Sequence, residues 1–142
     1  MCGIAGFFGR GTIDDGKSMI EKIRYRGPDF RDAIVNENVC LAHARLSIID
    51  LSTSANQPMF NRERTHCITF NGEIYNFVTL KEDLIRSGFN DFKTHSDTEV
   101  LLVLYKKYGK EMLSLLNGMF VFAIHDIEKK ELFIARDRKS VV

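Results

Sequence analysis

Residues 119–136 read MFVFAIHDIEKKELFIAR. Two apolar runs, 119–126 and 131–136, flank a polar stretch at 126–130, the pattern of two strands joined by a turn. Upstream lie three segments of helical character. Residues 79–87 (TLKEDLIRS) carry Leu80, Leu84 and Ile85 on one stripe, and Gly88 ends them. Residues 96–108 open on Ser96 with Glu99 three positions on, a capping-box pattern, and Gly109 closes them. Residues 110–116 predict a third helix, stopped at Asn117-Gly118.

Further upstream, strands return. Residues 66–70 (HCITF) run directly into Asn71-Gly72, and 33–36 and 39–49 read as strands. On the second of these, His43, Arg45 and Ser47 alternate and so share one face. Residues 50–60 form a polar loop. Residues 2–8 (CGIAGFF) read as a buried strand whose glycines admit another backbone or a ligand. Residues 9–16 hold three glycines and two aspartates, which is turn chemistry. A short helix follows over 17–25, with Asp15 as its N-cap, and RGPD at 26–29 stops it. Strands, then helices, then strands again, without strict βαβ alternation, predict an α+β fold.

The chain has 142 residues, enough for one domain around one core. Twenty basic and nineteen acidic residues leave a net charge of +1, and no run of like charge occurs. That balance offers no electrostatic case for nucleic acid or an anionic membrane. No segment has the length to span a bilayer, and the start has no secretory-signal pattern, so the expected compartment is the cytoplasm. Three cysteines at wide spacing fit neither a disulfide framework nor a zinc site, and no metal is expected. Cys40 and Cys67 sit in apolar, strand-like settings and read as small buried hydrophobes.

Cys2 differs by position. Removal of Met1 would place a free α-amine on the same residue as the thiol. That amine has an ordinary pKa near ~8 and can take the thiol's proton, replacing the histidine of a Cys-His pair. A thiolate that attacks a carbonyl needs oxyanion donors, which an asparagine side chain and a glycine N–H at Asn71-Gly72 can supply. The same dipeptide also suits an ordinary hairpin turn. Arg45 suits a carboxylate, and Asp97 suits an ammonium or the dipole of its own helix. Glu73 can share either task or face solvent. Together these residues describe an amidase for a free amino acid with a side-chain amide.

MCGIAGFF, RGPD, LAHARLSIIDLS, QPM, FNGEIYNF, SDTEVLL, LNGMFVFAIHD and LFIARDR, in that order over residues 1–138, resemble the glutamine amidotransferase domain of glutamine-hydrolysing asparagine synthetases. These are class II amidotransferases, within the N-terminal-nucleophile hydrolases. The resemblance implies an αββα sandwich of two stacked, mainly antiparallel sheets between helices. It implies Cys2 as nucleophile with its own amine as base, and Asn71 and Gly72 as the oxyanion hole. Arg45 would hold the glutamine α-carboxylate. Leu46, Ile48 and Ile49 would line the pocket with backbone groups, and Glu73 and Asp97 would surround the α-amino group. No catalytic role transfers to His43, which is expected to be structural.

The resemblance carries no cofactor for this chain. ATP and Mg belong to a synthetase domain that accepts the ammonia, with a homodimer as a further option for the full-length enzyme. Family members continue past ARDR, whereas this chain reads KSVV, and it contains no Ser-Gly-Gly-x-Asp-Ser signature. The expectation is an amidotransferase domain, 1–142, lacking its C-terminal part and the synthetase domain, through a truncated or frameshifted gene or as a fragment. Two further readings stay open: an inactive remnant or regulatory partner, and the amidotransferase module of a polysaccharide-pathway relative.

Overall fold

The computed structural model describes residues 2–138. The C-terminal departure at 139–142 and the state of Met1 fall outside those residues. Seven strands and three α-helices follow in the order β1 (Gly3–Phe8), α1 (Ile13–Lys22), β2 (Phe30–Asn36), β3 (Val39–Arg45), β4 (Met59–Phe60), β5 (His66–Ile74), α2 (Phe77–Arg86), α3 (Asp97–Tyr108), β6 (Gly118–Asp126) and β7 (Glu131–Arg136). The 119–136 hairpin forms as read, with Asp126 opposite Glu131 and Val121 opposite Arg136.

The strands make two antiparallel sheets, β1-β3-β2 and β4-β5-β6-β7. Helix α1 packs on the first, while α3 packs on β5 of the second with α2 beside it. Alternation along β3 decides the layering. Ala42 and Ala44 face α1 and join Ile20 and Ala33, while Val39 and Leu41 face the other sheet and meet Cys67 and Ala123. The largest core fills the space between the second sheet and α2 and α3, around Phe122, Ile68, Ile124 and Leu101. The order of layers is thus α-β-β-α, as expected. Gly6 does what its strand requires: a Cβ there would lie 2.2 Å from the Cys40 carbonyl oxygen on the paired strand.

Cys40 and Cys67 are buried, and burial pushes both thiols above their ordinary range, so they are inert packing groups. His43 is fully buried, and its Nε2 donates to the Phe70 carbonyl at 3.1 Å across the sheets. Desolvation lowers its pKa to about 4, so the ring stays neutral and structural.

Four local expectations are corrected. Helix α1 begins at Ile13, not at Lys17, and its N-cap is Thr12, not Asp15. The Thr12 hydroxyl accepts from Asp15 N while the Asp15 carboxylate accepts from Thr12 N, and this reciprocal cap outweighs the turn bias of the surrounding glycines. Gly109–Leu115 is 3-10 rather than α-helical, too short a run to repay α-helix nucleation. Strand β3 stops at Arg45, so Ser47 leaves the face shared by His43 and Arg45; its N–H donates to Asp29 Oδ2 instead. At α3 only half of the capping box forms. Ser96 Oγ accepts from Glu99 N, but the Glu99 carboxylate turns to the N–H groups of Lys93 and Thr94.

Candidate active site

Strand β1 starts at the mouth of a cleft of about 220 Å³ that opens between the two sheets and the start of α3. All nine residues singled out from the sequence line it: Cys2, Arg45, Leu46, Ile48, Ile49, Asn71, Gly72, Glu73 and Asp97. Four separate parts of the chain supply them.

Cys2 is half-buried, and its Sγ sits against the backbone of Leu46. It accepts from Leu46 N at 3.3 Å and donates to Leu46 O at 3.5 Å. The Cys2 carbonyl is held by Arg26 Nε at 3.0 Å. Helix α1 ends at Lys22, before RGPD rather than at it, and the motif instead anchors the residue that carries the thiol.

Asn71-Gly72 is not a hairpin turn. Both residues lie inside β5, opposite Val121 and Phe120. Beyond the short β4, the outer edge of β5 loses its strand partner, and side chains take over. Phe70 N donates to Gln57 Oε1 at 2.6 Å, and Ile74 N donates to Asp97 Oδ2 at 3.1 Å. By strand alternation the Gly72 N–H points to this same cleft-facing edge, between those two. The Asn71 side chain is half-buried, and its Oδ1 has no hydrogen-bond partner among the described residues.

Gly72 has φ of +156°, and a Cβ on it would lie 2.2 Å from Met119 O and 2.7 Å from Phe120 Cα. Gly72→Ala is expected to lower stability by about 1–3 kcal/mol from backbone strain alone. A shift of the urea midpoint at unchanged slope would show it.

Arg45 is buried at the end of β3. Its Nη1 donates to Ser52 O at 2.8 Å and Asn56 Oδ1 at 2.6 Å, and its Nη2 donates to Asp50 O. Three of the five guanidinium N–H groups thus gather the 46–56 loop around the side chain. The Nε–H and one Nη2–H make no hydrogen bond among the described residues.

Across the cleft, Asp97 is only 4% exposed. Desolvation raises its pKa from 3.8 to about 6, against hydrogen bonds from the Ile74, Thr98 and Asp97 N–H groups, and the neighbouring Glu73 charge raises it further. A buried carboxylate with a second carboxylate nearby favours a cation. The sign follows from proton linkage. In the empty protein Asp97 holds its proton up to about pH 6, whereas an ammonium binds the ionised form. Affinity for an amino-acid ligand is therefore expected to rise with pH up to about 6 and to level off above it. A Kd series from pH 5 to 8 checks this, and Asp97→Asn should bind weakly with no pH dependence.

Sequence reasoning missed the supporting groups. Gln57 is buried and links Phe70 N to Thr98 Oγ1, at 3.2 Å from the latter. The only signal was the QPM motif, which gave no partner. Asp50, Ser96, Thr98 and Met119 also line the cleft.

The family model for the glutamine amidotransferase domain matches residues 1–141. The chain is 41% identical to asparagine synthetase B [glutamine-hydrolyzing] of Escherichia coli, over 100% of this chain and 26% of that protein. It is 42% identical to asparagine synthetase [glutamine-hydrolyzing] 1 of Bacillus subtilis, over 96% of this chain and 22% of that protein. It is 40% identical to the Zea mays asparagine synthetase [glutamine-hydrolyzing], over 96% and 24%. The chain therefore spans about a quarter of the length of these relatives. Among solved structures, glutamine phosphoribosylpyrophosphate amidotransferase from B. subtilis is similar, with a TM-score of 0.60 and 28% identity over 72% of this chain and 24% of that one. On this match of sequence and fold, the chain belongs to the glutamine amidotransferase domain family.

Proposed function

We propose that this domain hydrolyses glutamine to glutamate and ammonia through a thioester on Cys2. The observation that carries the reading is one cleft holding a thiol, a strand edge with an asparagine and a glycine N–H, a guanidinium and a buried carboxylate. Removal of Met1 frees the Cys2 amine, which takes the thiol proton. The thiolate attacks the side-chain carboxamide of glutamine. Asn71 and the Gly72 N–H hold the oxyanion of the tetrahedral intermediate. The protonated amine returns its proton to the leaving nitrogen, and ammonia departs. Water then adds to the thioester and releases glutamate, regenerating the thiol.

Arg45 binds the α-carboxylate, Asp97 and Glu73 bind the α-ammonium, and the backbone of Leu46, Ile48 and Ile49 lines the pocket. Two opposite charges at fixed separation select a free α-amino acid over a peptide amide.

The proposal extends to a longer protein of the kind the relatives are named for, in which the ammonia would pass to a synthetase domain using ATP and Mg and end in asparagine. A cytoplasmic setting, where thiols stay reduced, and a homodimer of that enzyme complete the proposal. Among the described residues no helix is long and apolar enough to cross a membrane. The test is release of glutamate and ammonia in equal amounts from L-glutamine by the purified chain, with γ-amide peptides as controls. A folded chain that releases neither product would refute the proposal.

A further inference from the structure

The loop that follows β3 carries the pocket backbone, yet burial does not hold it in place. Ile48 is 68% exposed, Ile49 40% and Leu51 77%. Its first residue, Leu46, is fixed by Cys2, and Ala55 near its far end is buried. The middle needs another anchor, and Asp50 supplies one. Asp50 Oδ1 accepts from Ser52 N at 2.8 Å and shapes the turn, while Oδ2 accepts from His95 N at 2.9 Å, forty-five positions away. His95 immediately precedes Ser96, the N-cap of α3, and Asp97, its first residue.

We propose that Asp50 is a positioning residue for the amino-acid head group: its carboxylate straps the Arg45 loop to the segment that presents Asp97, and so sets the spacing of the two charge clamps. This rests on the reading of the cleft as a glutamine site. The Ser52 hydroxyl, then the His95 and Ser52 N–H groups, keep the Asp50 carboxyl at about 2, so the strap stays ionised at any working pH. The role belongs to the side chain. Arg45 also holds the Asp50 carbonyl, but any residue at 50 would offer that carbonyl. Loss of the carboxylate leaves Arg45 and Cys2 with their local partners and frees the middle of the loop from α3.

Two alkylating reagents separate this role from a merely structural one. A diazoketone analogue of glutamine must seat its head group before Cys2 displaces dinitrogen. Iodoacetamide needs only the thiol. Asp50→Ala is expected to slow alkylation by the diazoketone about 10–100-fold, the scale of an ångström-sized misplacement. The iodoacetamide rate should stay unchanged, KM for glutamine should rise, and kcat at saturation should change little. Asp50→Asn keeps one acceptor and should fall between. Three results would overturn the proposal. If the wild type shows no preference for the diazoketone, the glutamine reading itself fails. If the wild type is selective and Asp50→Ala is equally so, the strap is idle while the glutamine reading stands. If both reagents slow equally, Asp50 only supports the fold.

Discussion

Cys2→Ala is expected to lower glutamine hydrolysis on the order of 10⁶-fold, to background, the scale seen when a covalent nucleophile is removed. The size follows from the role. No other thiol can substitute, because Cys40 and Cys67 are buried with their thiols pushed up and line no part of the cleft. The fold should survive the change. Among the described residues the hydrogen bonds of Sγ are with Leu46 N and O, and the anchor from Arg26 goes to the Cys2 carbonyl, which alanine keeps. Affinity for glutamine should also survive, since Arg45 and Asp97 are untouched. The measurement is glutamate release beside a glutamine-binding isotherm: activity absent, binding retained. Blocking Met1 removal should give the same pattern with an intact thiol.

Asn71→Ala carries the second large effect, a fall of about 10²–10³ in kcat with KM nearly unchanged. The split distinguishes it from an Arg45 substitution. In the proposed mechanism Arg45 and Asp97 grip charges present in both substrate and transition state, so their loss is expected to raise KM. An oxyanion donor acts when the carboxamide oxygen gains charge, so its loss lowers kcat. Structural damage should be small, because Asn71 already leaves Oδ1 without a partner among the described residues and its side chain faces the cleft. Steady-state kinetics at saturating glutamine show the effect, and an equal loss in Asn71→Asp would confirm that a donor is needed.

The membership of the cleft was legible because the proposed chemistry resides in residue types. Cys2, Arg45, Asn71, Gly72 and Asp97 are few-purpose residues in an ordered set of motifs, and one cleft brings them together. The hairpin of β6 and β7 was legible because its alternation and polar turn are local. What escaped is the hydrogen bonding that crosses the chain. Asp50 to His95, Gln57 to Phe70, Arg26 to Cys2 and Asp29 to Ser47 each join a side chain to a backbone group in another segment. A backbone acceptor or donor has no residue identity, so no sequence pattern names it. The Asn71-Gly72 pair shows the same limit in reverse. Its composition suits a turn, and only pairing with β6 keeps it extended. At α1 the misread start came from weighing glycine and aspartate content above the reciprocal spacing of Thr12 and Asp15.

The central claim, that Cys2 is the nucleophile and works as the first residue, is tested most directly by acid-quenching the protein during turnover of glutamine and weighing its N-terminal peptide. The account predicts a peptide that begins at Cys2 and carries one glutamyl group on sulfur. An active, folded chain whose peptide retains Met1, or whose glutamyl group lies on any other residue, would contradict it.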